Sequence, residues 1–169
     1  MLRAALVPLI ATALHAEAAA QDTPSYARCR NEALPFPATD ANRLSDEQLR
    51  TLLTGKTFVY IRENTRVQGS LIRLGRELRA DGSMLSTCQF GRSRTGPWKN
   101  CENYGSDKAS VAGHRDVGVW RIENRALCFD HTAFKIGVCF SIHRQGAALA
   151  AKNVLGPRSY CGEGSVSVE

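Results

Sequence analysis

From Lys56 onward the chain is a succession of short segments in which apolar and polar residues alternate, separated by turn residues. A period of two is the pattern of a β-strand with one buried face. Asp81-Gly82, between two such segments, is a strong signal for a hairpin turn. Seven or eight strands joined mostly by short turns predict a mainly β fold, an antiparallel meander. Because open sheet edges promote aggregation, this meander is expected to close into a small barrel, with a β-sandwich as the alternative.

One short helix is expected before the strands, in "LSDEQLRTLLTG" (44–55). Ser45 is a favourable N-cap, and Gln48 three residues later completes a capping box. Gly55 follows the last apolar residue, as is typical of a helix C-terminus. Residues 21–43 precede this segment, carry three prolines and show no periodicity. They are expected to form an extended N-terminal arm.

The first twenty residues have the three parts of a secretory signal peptide. Arg3 supplies positive charge, residues 4–14 form an apolar run, and small residues precede the expected cleavage after Ala18 or Ala20. A bilayer span needs about twenty apolar residues, so this shorter run does not predict a transmembrane anchor. The expected organisation is a signal peptide at 1–20, the arm at 21–43 and one disulfide-stapled barrel domain at 44–169. The expected location is periplasmic or secreted.

Six cysteines, an even number, agree with export, because an oxidising compartment joins such cysteines into disulfides. Three bridges allow about fifteen connectivities, which spacing ranks without deciding between them. The favoured pairs are two short-range ones and one that ties the two ends together: Cys88–Cys101, Cys128–Cys139 and Cys29–Cys161. Alternation places Cys128 and Cys139 on the more polar faces of neighbouring strands. That position suits a bridge across a hairpin, outside the core.

Three stretches, "LSDEQLRTLLTGKTF", "GVWRIENRALCF" and "GVCFSIHRQG", resemble a group of small exported bacterial proteins of unknown function. In that group an L-x-G-x-T opening precedes a G-x-W-x-I strand and a paired L-C … C hairpin. The resemblance covers about residues 44–146 and implies a compact barrel similar to lipocalins and other calycins, in the cell envelope. It carries no agreed activity, so it transfers no catalytic residue. The sequence departs from the group at "LRADG", where an aromatic "Y-F-x-x-D-G" hairpin is usual.

The chain lacks the usual sequence signatures of catalytic and metal chemistry. His114, His131 and His143 are isolated, with no C-x-x-C or H-x-x-x-H spacing for a metal. Residues 114–116 (His-Arg-Asp) could form an acid–base trio only if adjacent side chains converged, which alternation along a strand opposes. There is no G-x-S-x-G elbow, no grouped carboxylates and no Walker-type loop. We therefore predict no catalytic residue, metal or cofactor, and favour a non-enzymatic protein over a small secreted enzyme.

Basic residues interleaved with aromatic ones favour a binding function. The chain has 17 Arg, 5 Lys and a net charge of +6, although a GC-rich genome also enriches Arg together with Ala. Arginine forks and aromatic faces suit acidic sugars, lipid phosphates or an acidic protein partner. Nucleic acid is not expected, because an exported protein rarely meets it. The candidate binding residues lie in the strand "RLGRELR" and in the loop 91–114: Arg73, Arg76, Arg92, Arg94, Trp98, Lys99 and Tyr104.

These features predict a periplasmic, non-enzymatic module that binds an anionic envelope component or an acidic protein partner through the loop 91–114. Inhibition of a hydrolase is one form that such binding could take. The alternative is a lipocalin-like carrier of a small apolar ligand in the barrel interior. The loop could instead be an ordinary basic loop in which Trp98 covers one end of the barrel. Trp120, in phase with Ile122, is expected in the core.

Overall fold

A computed structural model describes residues 29–101, 115–132, 135–156 and 161–169. Within these ranges the chain forms one α-helix and nine strands. The helix α1 spans Asp46–Leu53, and the strands are β1 (Lys56–Glu63), β2 (Leu71–Leu78), β3 (Ser83–Gly91), β4 (Lys99–Asn100), β5 (Arg115–Glu123), β6 (Ala126–His131), β7 (Ile136–Gln145), β8 (Ala148–Leu155) and β9 (Gly164–Val168). The predicted signal peptide lies outside the described residues.

Eight of the strands form a closed antiparallel barrel. Strands β1, β2, β3, β5, β6, β7, β8 and β9 each pair with the next one. The ring closes because β9 also pairs with β1, through Phe58–Val168 and Val59–Ser167. The two-residue strand β4 is an addition beside β3. The predicted mainly β meander that closes into a small barrel is therefore confirmed.

Helix α1 is fixed by the caps that its sequence predicts. Ser45 Oγ accepts a hydrogen bond from the Gln48 amide at 3.2 Å, and the Ser45 amide donates to Gln48 Oε1 at 2.8 Å. Together these bonds satisfy two amide donors at the start of the helix. Leu49 and Leu53 are fully buried in the main core. Gly55 follows at a positive φ of 73°, and its amide donates to the Leu78 carbonyl.

Antiparallel pairing gives the barrel two distinct ends. The helix end carries α1 and the β2–β3 turn, residues 79–82. The opposite end, which we call the loop end, carries the β1–β2 segment 64–70 and the β3–β4 segment 92–98. Strand β8 runs toward the loop end, so its last residues lie there too. Consecutive strands leave opposite ends, and this arrangement separates the two sets of connections by the length of the barrel.

Inward-facing side chains pack across the barrel axis. The ring of Phe129 lies 5.9 Å from that of Phe58 and 6.3 Å from that of Phe140, centroid to centroid, and all three are buried. Trp120 packs against this core while its Nε1 donates to the Arg79 carbonyl. An eight-stranded barrel is just wide enough for side chains to fill. All three rings belong to the main core cluster.

The three disulfides join the pairs that the spacing ranks first: Cys29–Cys161, Cys88–Cys101 and Cys128–Cys139. Cys128 and Cys139 face each other directly on β6 and β7, and with Ala126 they form a small buried cluster apart from the main core. Three disulfides indicate an oxidising environment outside the cytoplasm. None of the helices in the described ranges has the length and apolar character to cross a membrane.

The described part of the arm, residues 29–43, lies along the barrel. Cys29 forms an isolated β-bridge with Asn64, and Arg43 forms another with His143. Phe36 is buried, and a short 3-10 turn spans Asp40–Asn42. The arm thus connects the loop end to the outer surface of β7.

Candidate functional site

Two adjoining grooves lie at the loop end, and they share Ser70 and Arg92. One has a volume of about 500 Å³ between segments 64–70 and 92–98, and the other, of about 570 Å³, extends toward Arg30. Their size is that of a small-ligand site. We call the two together the cationic groove. Its basic residues are Arg30, Arg66, Arg92 and Lys99.

Positive charge dominates the groove. Its described lining residues include four cations and a single carboxylate, that of Glu63. Arg92 and Lys99 are both exposed, and within the part of the chain that the structure describes neither forms an ion pair. A concave surface lined by charges of one sign concentrates the field and attracts counter-ions. The groove can therefore hold an anion without first breaking an ion pair at either residue.

Apolar side chains accompany these charges. Val67 is 54 % exposed and Phe90 is 39 % exposed, and both line the same groove, together with Pro97. Register places Phe90 directly opposite Lys99. A ligand that combines an anionic group with an apolar part would satisfy both kinds of surface.

The segment 92–98 is held in shape by its own packing and by a disulfide. The indole of Trp98 lies over two glycines: a Cβ on Gly91 would come within 2.9 Å of the ring, and one on Gly96 within 3.1 Å. The Cys88–Cys101 bridge and a hydrogen bond from the Cys101 amide to the Cys88 carbonyl close the base of the segment. Because the backbone that carries Arg92, and Lys99 directly after the segment, is already held, binding orders little additional backbone.

Arg94 has a different role from Arg92. Its Nη2 donates to Glu32 Oε1 on the arm, so this guanidinium is already paired. Glu32 also lies 3.5 Å from Arg62 Nη1. Tyr104, the remaining candidate in the loop, lies outside the described residues.

The structure does not bring Arg73 and Arg76 together. They are three residues apart on β2, and an odd separation places side chains on opposite faces of a strand. Arg73 lies outside the barrel, where it donates to Gln89 Oε1 at 2.9 Å and to Glu169 Oε2 at 2.7 Å. Arg76 lies inside, with only 1 % of its surface exposed. The prediction that Arg76 belongs to a basic binding surface is therefore wrong.

Arg76 instead forms part of the core. Its guanidinium carbon lies 4.8 Å from the Tyr60 ring centroid and 4.6 Å from that of Phe129. Its Nη2 donates to the Tyr60 hydroxyl at 2.8 Å and lies 3.5 Å from His131 Nε2. Cation–π contact with both rings offsets part of the cost of burying the charge. In the sequence, Arg76 alternates with Ile72 and Leu74 and so shares their face of the strand. This alternation is the feature that predicts an interior position.

Arg62 is the second buried arginine. Its Nη1 donates to the carbonyls of Ile61 and Ser165, and its Nη2 to that of Gly162, all within 2.9 Å. Burial lowers the pKa of the Arg62 guanidinium, and the nearby Glu32 carboxylate opposes this shift. These bonds assign Arg62 a structural role at the loop end.

A serine–histidine pair lies on the outer face of β7. Ser141 Oγ is 2.9 Å from His143 Nε2, and His143 Nδ1 is 2.9 Å from Asn42 Oδ1 and 3.2 Å from the Thr39 carbonyl. Two acceptors at Nδ1 place the proton there, so Nε2 accepts from the Ser141 hydroxyl. Two of these partners come from the arm, about a hundred residues earlier, so sequence spacing does not reveal them.

The geometry of this pair is that of a nucleophile and its base, but its surroundings are those of a structural contact. Ser141 and His143 are 2 % and 4 % exposed, beneath the arm. Desolvation lowers the pKa of His143, and the positive charges of Arg43, Lys152 and Arg125 act in the same direction. The neutral imidazole therefore attaches the arm to the barrel.

The metal and acid–base candidates have separate outcomes. No group of three His, Cys, Asp or Glu side chains in these ranges could hold a metal ion. His114 and the side chains of Arg115 and Asp116, the possible acid–base trio, lie outside what the structure describes. All six cysteines are in disulfides.

Comparison of the chain with protein-family models, with curated proteins and with solved structures gives no match. The resemblance to small exported barrel proteins therefore stays a prediction. The function has to be argued from the groove itself.

Proposed function

We propose that this protein is a non-enzymatic binding module that holds an anionic component of the cell envelope in the cationic groove, in the periplasm or after secretion. The observation that carries the proposal is the cationic groove, whose described lining has four cations, Arg30, Arg66, Arg92 and Lys99, and one carboxylate. Export to the envelope, which the disulfides and the signal-like first twenty residues favour, gives such a groove access to phosphate- and carboxylate-bearing molecules.

The chemistry of the side chains supports an oxyanion as ligand. The planar guanidinium of Arg92 presents parallel donors that match phosphate or carboxylate oxygens, and Lys99 adds a point charge. A volume of about 500 Å³ suits a headgroup or an acidic sugar. An acidic protein partner would meet the same charges over a larger surface.

Isothermal titration with inositol hexakisphosphate, a soluble polyanion, tests the proposal. Arg92→Ala/Lys99→Ala removes two groove cations, each worth about 1 kcal/mol near an anionic ligand, so affinity should fall about 30-fold. Lys56→Ala/Arg144→Ala is the matched control, because it removes the same charge from exposed residues at the helix end. That control should change affinity by less than about twofold.

Salt provides a second readout. Binding by the wild type should weaken as ionic strength rises, and the Arg92→Ala/Lys99→Ala protein should show a shallower dependence. Equal losses in the two double variants would mean that net charge, not the groove, attracts the polyanion. That result, or no binding by the wild type at low salt, would overturn the proposal.

A further inference from the structure

Exposed apolar side chains concentrate at the loop end. Six large apolar side chains are exposed in the described part of the chain, and four of them lie at this end: Val67, Phe90, Val154 and Leu155. The other two, Val117 and Val119, lie on the outer wall of β5.

The four residues lie on opposite sides of the barrel. Val67 and Phe90 line the cationic groove beside β2 and β3, whereas Val154 and Leu155 line a separate groove at the end of β8. In the ring of eight strands, β8 is three strands from β2 and four from β3, so the two pairs lie on opposite sides of the mouth. A small ligand in one groove cannot contact both pairs, but a flat surface that meets the end of the barrel can.

Cations accompany the apolar residues around this mouth. Arg66 is next to Val67 in sequence, Lys99 is opposite Phe90, and Lys135 is exposed in the β6–β7 turn. Bilayer interfaces bind proteins through this combination, because cations reach the lipid phosphates while apolar side chains enter the acyl boundary.

The carboxylates at this end oppose binding only weakly. Glu32 is paired with Arg62 and Arg94, and Glu163 accepts a hydrogen bond from the Asn153 amide. Asp130, near the end of β6, is paired with Arg121, and among the described carboxylates at this end Glu63 is exposed and has no ion pair. The charge at the loop end therefore complements an anionic surface.

We propose that the loop end of the barrel docks on an anionic phospholipid bilayer, with the groove cations on lipid phosphates and Val67, Phe90, Val154 and Leu155 at the acyl boundary. The proposal rests on the anion-binding function above and names its ligand as a phosphate headgroup in a membrane surface.

Val154 and Leu155 separate this proposal from binding in the groove alone. Sedimentation with vesicles of equal parts phosphatidylglycerol and phosphatidylcholine should recover the wild-type protein, whereas vesicles of phosphatidylcholine alone should not. Val154→Ser/Leu155→Ser should weaken vesicle binding about tenfold and leave the affinity for inositol hexakisphosphate unchanged, because neither residue lines the cationic groove. Arg92→Ala/Lys99→Ala should weaken both.

The matched control is Val117→Ser/Val119→Ser, which removes two comparably exposed apolar side chains from the barrel wall. It should bind vesicles as the wild type does. If Val154→Ser/Leu155→Ser also binds vesicles like the wild type while both proteins bind the polyanion, the docking proposal fails and the anion-binding function stands. If neither vesicles nor polyanion bind, both fail.

Tryptophan quenching reports which end meets the lipid. Trp98 lies in segment 92–98 at the loop end, and Trp120 lies at the helix end, where its indole donates to the Arg79 carbonyl. Vesicles with brominated acyl chains should quench part of the wild-type emission, and Trp98→Phe should remove that quenching. Quenching that persists in Trp98→Phe would place the helix end at the membrane and overturn the proposal.

Discussion

The Glu32 carboxylate on the arm lies 3.5 Å from the guanidinium of Arg62, which is fully buried at the loop end of the barrel. The same guanidinium donates through Nη1 to the carbonyl of Ser165, within β9, and through Nη2 to that of Gly162, just before β9. Arg62 therefore connects the arm, β1 and β9 through one side chain. These contacts lie where β1 and β9 close the barrel.

Glu32→Gln is expected to destabilise the fold by about 2 kcal/mol, because it removes the charge that compensates a buried guanidinium. The measurement is the free energy of unfolding in guanidinium chloride, with far-UV circular dichroism as the probe. Glu77→Gln is the control, since Glu77 pairs with Arg79 where both side chains are about half exposed. An exposed pair contributes little, so this variant should lose less than about 0.5 kcal/mol. Equal losses would contradict a special role for Glu32.

Arg76→Lys is expected to lower stability by about 2 kcal/mol although the charge is kept. The planar guanidinium contacts the rings of Tyr60 and Phe129, and an ammonium cannot reproduce these stacked contacts. Arg73→Lys, on the outer face of the same strand, should cost less than half as much. Thermal unfolding of the two variants under identical conditions measures the difference. A larger loss in Arg73→Lys would show that the interior contacts matter less than the pairing with Glu169.

His143 should make stability depend on pH. Desolvation lowers the pKa of His143 in the folded protein, so the unfolded chain binds the proton more readily. The stabilisation by the neutral imidazole is complete above its unfolded pKa of about 6.5 and is lost as the pH falls below that value toward the folded pKa. His143→Gln cannot titrate, so its stability deficit relative to wild type should shrink between pH 7.5 and pH 5. Urea unfolding at several pH values measures this deficit, and a constant deficit would contradict the assignment.

The disulfides should contribute unequally to stability. Cys29–Cys161 spans 132 residues and Cys128–Cys139 spans 11, and a longer closed loop removes more entropy from the unfolded chain. Replacing both cysteines by alanine should cost about 5 kcal/mol for the first pair and about 3 kcal/mol for the second. Guanidinium unfolding of the two double variants gives the comparison. The reverse order would show that local packing outweighs loop closure.

Features set by neighbouring residues could be predicted from the sequence. The capping box of Ser45 and Gln48 and the stop at Gly55 define α1. The turn at Asp81-Gly82 joins β2 and β3 as expected, with Gly82 at a φ of 83°. In each case the residues that predict the feature lie within about ten residues of it. Tertiary contacts are therefore not needed to predict it.

Features set by distant contacts could not be predicted in the same way. Strand β9 is short and rich in Gly and Ser, and its pairing with β1 is decided by barrel closure, about a hundred residues away. The partners of His143 come from the arm. Arg76 is a different case. Its alternation with Ile72 and Leu74 predicts an inward position, but its positive charge favours the surface, and the prediction followed the charge. Within the cationic groove, the sequence identified Arg92 and Lys99, whereas the contribution of the segment 64–70 required the fold.

The closing pair of strands has a consequence for how the barrel opens. Strands β1 and β2 pair along their whole length. Strands β1 and β9 pair only between Thr57–Val59 and Ser167–Glu169. Toward the loop end, hydrogen bonds from the Arg62 side chain to the carbonyls of Gly162 and Ser165 connect the two strands in place of backbone bonds. Local opening of the barrel should therefore begin between β1 and β9. The amides that bond β1 to β9 should exchange with deuterium faster than those that bond β1 to β2.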